Sequence, residues 1–250
     1  MQKIALQIYS LRQELFGGNL AEVLHSVRDM GYDGVEWFGM LPGLPAAELA
    51  RRTTDAGLAF FSVHTDWNGI AACDRDLLHA LHDAGCRYIP IGWLPEERIA
   101  GGALFDETCA AIRKYAEAAG ACDITVLYHN HDFDLARLPD GRTKLDALYE
   151  VLPETVLRAE LDTCWLYSGG VDPIAYVQKY ADRTPILHLK DCVKEGGRKE
   201  YRPVGSGVLD FPAILAAQKS DWLCVEQDEP SMGLTASECA KASIDYLRSL

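Results

Sequence analysis

One phrase repeats along this chain: a short apolar run, a loop, then an amphipathic helix that often ends at a glycine or proline. It recurs eight times in 250 residues, a spacing of about thirty residues. KIALQIYS (3–10) reads as the first strand, with Ala5 and Gln7 on the face opposite Ile4, Leu6 and Ile8. Asn19 and Glu22 make a capping-box-like start to a helix in which Leu20, Val23, Leu24 and Val27 recur at helical spacing, and Gly31 closes it. GVEWF (34–38), AFFSVH (59–64) and RYIPIGW (87–93) are the next strands, with helices closed by Gly57, Gly85 and Gly120 between and after them. Later helices are bounded by Pro153, started by Asp172 and Pro173, begun near Asp210, and capped by Thr235 with Glu238. Strict alternation of strand and helix predicts α/β architecture with a parallel sheet, and eight repeats in this length predict a (β/α)8 TIM barrel. A doubly wound sheet shares the alternation, but no Gly-x-Gly-x-x-Gly follows the first strand. No linker or low-complexity segment interrupts the pattern, so residues 1–250 read as one domain.

The last four strands carry polar side chains where a purely structural strand would not. PILHLKD (185–191) alternates Leu187 and Leu189 with His188 and Lys190, so the leucines face one way and the charges the other. LRAELDTCW (157–165) places Arg158, Glu160 and Asp162 on one face, TVLYHNHDF (125–133) does so for His129 and His131, and WLCVEQDEP (222–230) for Glu226 and Asp228. If these strands are neighbours, His129, Asp162, His188 and Glu226 converge at the C-terminal end of the barrel, where such folds carry their active sites. A single His or Asp at a strand end is ordinarily a loop anchor; four in register point to a ligand set. Two imidazoles and two carboxylates suit Mn²⁺, Fe²⁺, Co²⁺ or Zn²⁺ better than Ca²⁺, which prefers oxygen. The loop 195–207, rich in glycine and charge, follows the seventh strand. Its Gly205 and Gly207 are weak grounds for a phosphate site, and a plain flexible connection is the simpler expectation.

Composition narrows the partners. The formal net charge is -13, from 24 basic and 37 acidic residues, so nucleic acids and anionic membranes are not expected. The eight cysteines contain no Cys-x-x-Cys pair, and reduced thiols are expected in a chain long enough to build its own core. The start MQKIALQIYSLR lacks the apolar length and flanks of a signal peptide, and no window approaches a transmembrane helix. The expectation is a soluble, cytoplasmic protein; self-association into a homo-oligomer stays open.

The order of YHNHDFD (128–134), DTCWLYSGGVDP (162–173), HLKD (188–191), PVGSGVLDF (203–211) and VEQDE (225–229), with QIYSLR (7–12) at the first strand, resembles the xylose isomerase-like TIM-barrel superfamily. Within it the chain is similar to the sugar phosphate isomerase/epimerase group. The resemblance implies one divalent ion held by His129, Asp162, His188 and Glu226. It also implies a sugar or keto-sugar substrate and proton abstraction next to a carbonyl, with the metal as Lewis acid. Two positions depart from the family. A glutamate common on the fifth strand is His129 here, and a histidine common three residues after the sixth-strand aspartate is Trp165. The YHNHD form is closer to inosose dehydratases and keto-sugar lyases.

Roles follow for several residues. Glu226 is expected to serve as ligand and base, and His131 as a second acid/base group or a loop anchor. Lys190 is expected to steady an oxyanion or, with its pKa depressed by burial, to accept a proton; the simpler alternative is a salt bridge to Asp191 or Glu160. Glu36, Trp37, His64 and Trp165 are candidates to bind the sugar, while His25, His79 and His82 fall on helices away from the strand ends. The leading function is a metal-dependent sugar or keto-sugar isomerase/epimerase. A lyase or dehydratase on the same chemistry is the alternative, favoured by His129. An apurinic-site endonuclease is the third, disfavoured by Trp165 and the net acidity.

Overall fold

The alternating runs pair with one another in parallel and close on themselves. The computed structural model describes residues 2–195 and 198–250. Seven strands come first: β1 (Lys3–Gln7), β2 (Gly34–Trp37), β3 (Ala59–Val63), β4 (Tyr88–Ile91), β5 (Thr125–His129), β6 (Arg158–Asp162) and β7 (Ile186–Leu189). A hairpin of β8 (Asp191–Glu195) and β9 (Arg198–Arg202) intervenes before β10 (Trp222–Val225). The barrel runs β1 to β7 in chain order and then β10, which pairs back onto β1. The (β/α)8 TIM barrel is thus the architecture, with helices between the strands along the outside.

Strand alternation sorts the side chains into two cores. Leu6, Val35, Trp37, Val63, Leu161 and Leu187 face outward and pack beneath the helices with Leu24, Leu49, Leu78, Ile112, Leu148 and Ile244. Ala5, Phe61, Leu127, Ile186, Trp222 and Cys224 form a separate apolar plug, in which the Phe61 and Trp222 rings stack at 4.0 Å. Register stacks the polar interior residues above that plug. Gln7 pairs with Glu36, Glu36 with Ser62, His129 with Glu160, Asp162 with His188, and His188 with Cys224.

Local chemistry sets the ends of the elements. Asn19 caps the helix Leu20–Met30 by accepting from the Ala21 N–H, and Gly31 ends it at φ 106, a conformation that costs glycine little. Thr235 and Glu238 form the capping box expected for the final helix. The first strand is shorter than the sequence suggests: Gln7 Oε1 accepts from the Tyr9 N–H, and a 3-10 turn over Ile8–Leu11 replaces the strand's end. All eight cysteines are free thiols. Among the described residues, no helix is long and apolar enough to cross a membrane.

The region after the seventh strand departs most from expectation. Instead of a featureless loop it begins as the antiparallel hairpin, with Asp191 paired to Arg202 and Val193 to Glu200. Gly196 and Gly197, which fall between the two strands in sequence, lie outside the described residues. A Gly-Gly pair between two such runs is a hairpin signal in its own right. Nor do Gly205 and Gly207 present a free anion cradle, because the chain supplies its own anion. Asp191 Oδ2 accepts from the Gly205 and Gly207 N–H groups at 3.1 and 2.8 Å, and Oδ1 accepts from Cys192 at 2.8 Å and Leu209 at 3.3 Å. A Cβ on Gly207 would lie 2.2 Å from Asp191 Oδ1, so the carboxylate needs that glycine. Asp191→Ala is expected to release one buried and three part-buried amides and destabilise the protein by ~2–4 kcal/mol. Urea denaturation, with hydrogen exchange at the Gly205 and Gly207 amides, measures it; unchanged exchange would contradict the clamp.

Candidate metal and catalytic site

Four strand ends deliver four donors to one place. His129 ends β5, Asp162 ends β6, His188 lies within β7 and Glu226 directly follows β10. Each offers a donor atom within 4.8 Å of the others, and all four residues are buried. Asp162 has a local reason for its orientation. It caps the short helix Thr163–Ser168, and Oδ1 accepts from the Trp165 N–H at 2.8 Å while Asn130 Oδ1 holds the Asp162 N–H at 3.0 Å. That leaves Asp162 Oδ2 turned into the barrel, buried, with the Lys190 ammonium 3.3 Å away.

A lower tier orients the two histidines, His129 through one nitrogen and His188 through both, and against its burial Glu160 and Glu36 raise the His188 pKa well above the ordinary imidazole value. His129 Nδ1 lies 3.0 Å from Glu160 Oε2, which leaves Nε2 as the donor. His188 Nε2 lies 2.6 Å from Glu36 Oε1, while its Nδ1 is 3.1 Å from Glu226 Oε2. Glu36 in turn accepts from Gln7 Nε2 at 3.0 Å and Ser62 Oγ at 2.5 Å. His64 Nε2 sits 3.1 Å from both Glu36 Oε1 and Glu160 Oε2. Carboxylates behind ligating imidazoles of this kind orient the ring and raise its basicity.

The electrostatics follow from burial against pairing. Burial would raise the Glu36 carboxyl, yet His64 and His188 outweigh it and hold its pKa well below the usual range. Burial, with the Glu36 charge nearby, pushes Glu160 up to about 7, and burial moves Asp162 to about 6 despite Lys190. His64 runs against its burial: Glu160 and Glu36 raise it to about 10. Burial lowers His129 well below the ordinary imidazole value, and the neighbouring His188 adds to this, so His129 is neutral and its free nitrogen can coordinate. A neutral imidazole at His129 with the buried carboxylates of Asp162 and Glu226 nearby is chemistry that fits a borderline divalent ion.

Lys190 differs from expectation. Burial would depress it, but Asp162, Glu226 and Asp228 raise its pKa well above the ordinary lysine value, so it is a fixed ammonium and not a proton acceptor. Its Nζ lies 2.9 Å from Glu226 Oε2, 3.2 Å from Asp228 Oδ1 and 3.3 Å from Asp162 Oδ2. Neither Asp191 nor Glu160 is its partner: Asp191 is committed to the loop amides, and Glu160 faces His64 and His129. Asp228 lies two residues past Glu226, so the same alternation that marked Glu226 marks it as well.

The substrate candidates divide. Trp37 is fully buried in the outer core under the helices and does not reach the mouth. The alternation that turns Glu36 inward necessarily turns Trp37 outward. Glu36 lies beneath the mouth, buried and engaged by Gln7, Ser62 and His188. His64 reaches the mouth's edge, beside a cavity of about 400 Å³ that it lines with Phe38, Thr65 and Trp93. Trp165 stands at the mouth, 5.2 Å from the His131 ring and 6.1 Å from Tyr201, with Lys199 Nζ 3.3 Å from its ring centre. Tyr201 and Lys199 belong to the hairpin, which is why reading 195–207 as a loop missed them. His131 stacks on Phe133 at 5.3 Å, and burial and Lys190 lower its pKa to about 4. Its Nδ1 is buried without a partner.

A closed parallel barrel with acidic, imidazole and ammonium groups gathered at the C-terminal ends of its strands defines a TIM-barrel enzyme scaffold with a candidate cation centre. The chain belongs to the xylose isomerase-like TIM barrel family, whose profile matches residues 24–250. It is 25% identical to an inosose dehydratase of Geobacillus kaustophilus strain HTA426, over 90% of this chain and 86% of that one. A sugar phosphate isomerase/epimerase of Parabacteroides distasonis superposes over 100% of this chain and 99% of its own, with TM-score 0.83 and 24% identity. A structure of the IOLI protein with a bound zinc atom covers 99% and 97%, with TM-score 0.71 and 16% identity. The two structural likenesses carry the fold; the sequence relative is a sugar-modifying enzyme.

Asp134 gives the turn behind His131 a pH signature. Its carboxylate accepts from Tyr128 Oη at 2.9 Å and from the His131 N–H at 2.9 Å, and burial raises its pKa to about 7. A carboxyl raised on folding contributes full stability below its unfolded value near 3.8, and that contribution is lost as pH rises through about 7. Asp134→Asn is expected to remove this loss, on the order of 4 kcal/mol at most. Urea midpoints of both proteins between pH 4 and 8 test it; parallel profiles would contradict the shift.

Proposed function

We propose that this chain is a divalent-metal-dependent enzyme that removes a proton next to the carbonyl of a keto-sugar or cyclic polyol ketone, and that loss of the neighbouring hydroxyl follows. His131 carries the reading: a neutral imidazole at the mouth, 5.2 Å from the Trp165 ring and beside an ammonium that stays charged. His129 Nε2, Asp162, His188 Nδ1 and Glu226 would hold the ion, which as a Lewis acid would polarise the substrate's carbonyl oxygen.

The chain's own residues supply the rest. His131 takes the proton from the carbon beside the carbonyl, and its low basicity makes it ready to return that proton. Lys190, charged and pinned by Glu226 and Asp228, offers a fixed positive charge to the developing enolate oxygen. The imidazolium of His131 then gives its proton to the departing hydroxyl, which leaves as water while a carbon–carbon double bond forms. Glu226 is a poor base here: His188 and Lys190 outweigh burial and hold its pKa well below the usual carboxylate range. Its place is as a ligand and as the partner of Lys190. Trp165 and Tyr201 provide the apolar faces a ring of hydroxyls packs against. The inosose dehydratase likeness over most of both chains supports elimination.

A second reading rests on the same single base. Transfer of the proton to the adjacent carbon on one face of the sugar also needs only His131, and gives an isomerase. Epimerisation asks for groups on both faces, and His129, neutral and tied to Glu160, is poorly placed to shuttle protons. The net charge of -13 disfavours a nucleic-acid substrate.

Asp162→Ala is expected to lose most bound metal and at least about a hundredfold in turnover. Its retention of full metal content would refute the ligand set. His131→Gln should keep the metal while kcat falls by about 10²–10⁴. Product analysis by NMR in heavy water, on a panel of inososes, ketoses and 3-keto-glycosides, separates the outcomes. Water loss supports elimination; deuterium incorporation with no loss of water moves the isomerase reading ahead.

A further inference from the structure

Beneath the candidate metal centre lies a second ring of donors. Glu36 on β2, His64 just past β3, Glu160 on β6 and His188 on β7 each present a ligand-type atom, and these atoms lie within 4.8 Å of one another. The contacts are tighter than that limit. His188 Nε2 is 2.6 Å from Glu36 Oε1 and 3.4 Å from Glu160 Oε2, and His64 Nε2 is 3.1 Å from each of those two oxygens. Donors held at ~2.0–2.1 Å from a tetrahedral Zn²⁺ sit about 3.3 Å from each other along the edges. Two imidazole nitrogens and two carboxylate oxygens therefore already stand at nearly that spacing. The set lies one tier deeper than the upper donors, since Glu160 precedes Asp162 by two residues on the same strand face.

Independent features point to a ligand in this place. Glu160 is fully buried, and its Oε2 is the oxygen that faces the ring, 3.1 Å from His64 Nε2 and 3.4 Å from His188 Nε2. Two carboxylates brought this close inside a barrel need positive charge between them, which a cation supplies. His64 is aimed by design of the backbone behind it. A Cβ on Gly92 would lie 2.7 Å from His64 Nδ1, so only a glycine lets the ring sit with Nε2 turned inward. His64 also lines the cavity shared with Phe38 and Thr65, which gives an ion a path from solvent. His188 can serve both tiers because its nitrogens face opposite ways, Nδ1 toward Glu226 and Nε2 toward Glu36.

We propose that Glu36, His64, Glu160 and His188 Nε2 form a second, tetrahedral divalent-cation site, selective for Zn²⁺ or Co²⁺, beneath the upper centre. Filling it displaces the protons carried on His64 and on His188 Nε2, and these pass to solvent. When both tiers are filled, His188 bridges them as an imidazolate. Tier and geometry distinguish the two sites: the deep one is a closed four-donor shell with no position for substrate, which makes it structural.

Cobalt titration of the metal-free protein tests this. Tetrahedral Co²⁺ has visible bands far stronger than those of a six-coordinate ion, so the deep site is read without any activity assay. The wild type is expected to take up two Co²⁺ per chain and to show the strong bands. Asp162→Ala should bind one Co²⁺ with the strong bands intact, so the deep site is read even if the upper ligand set proves wrong. His64→Asn and, separately, Glu160→Gln should lose the strong bands and one equivalent of metal, with circular dichroism establishing that each is folded. If either folds poorly, anomalous scattering at the zinc edge from wild-type crystals decides the matter by the ion's position among these four residues. One ion per chain in the wild type, or strong bands that survive His64→Asn, would overturn the proposal, as would zinc density at the upper tier alone.

Discussion

The interior of this barrel is organised by the need to neutralise charge where water is scarce. Glu36, Glu160, Asp162 and Glu226 are all buried, and an isolated carboxylate in such a place would give up its charge. They are sustained in an alternating arrangement, with His188 between Glu36 and Glu226, His64 between Glu36 and Glu160, and Lys190 between Glu226, Asp162 and Asp228. Removing one member strands its neighbours, which is why buried ionic networks are costly to break.

The apolar plug makes the network possible. Phe61, Leu127, Ile186 and Trp222 fill one end of the barrel's interior and leave the polar tiers to the other. The outward leucines of the same strands pack the helices. Each strand thus does two tasks through its period of two: one face stabilises the fold, the other builds the site. The same rule explains why Trp37 is core while Glu36, one residue earlier, is part of the polar interior.

The mouth is shaped after the strands end. Asp191 gathers the amides of Cys192, Gly205, Gly207 and Leu209, tying the chain after the hairpin back to the barrel rim. That anchorage carries Lys199 and Tyr201 to Trp165. An internal carboxylate has taken the anion-binding capacity of these amides, so what the mouth presents is aromatic rings and fixed positive charge.

The sequence by itself determined the barrel, because strand and helix periods, glycine stops and caps such as Thr235 with Glu238 are local and repeat eight times. It also determined that His129, Asp162, His188 and Glu226 share a face and an end, since alternation is a property of each strand alone. Tertiary structure decided which donors face each other across the barrel. The pairing of His64 with Glu160 and of His188 with Glu36 spans strands that are not neighbours, and no local rule reports it. Nor does one report the partners of Lys190, whose Nζ meets a residue beyond its own strand at Asp228. The charge state of each group depends on those partners and on burial together, and both exist only once the barrel has closed.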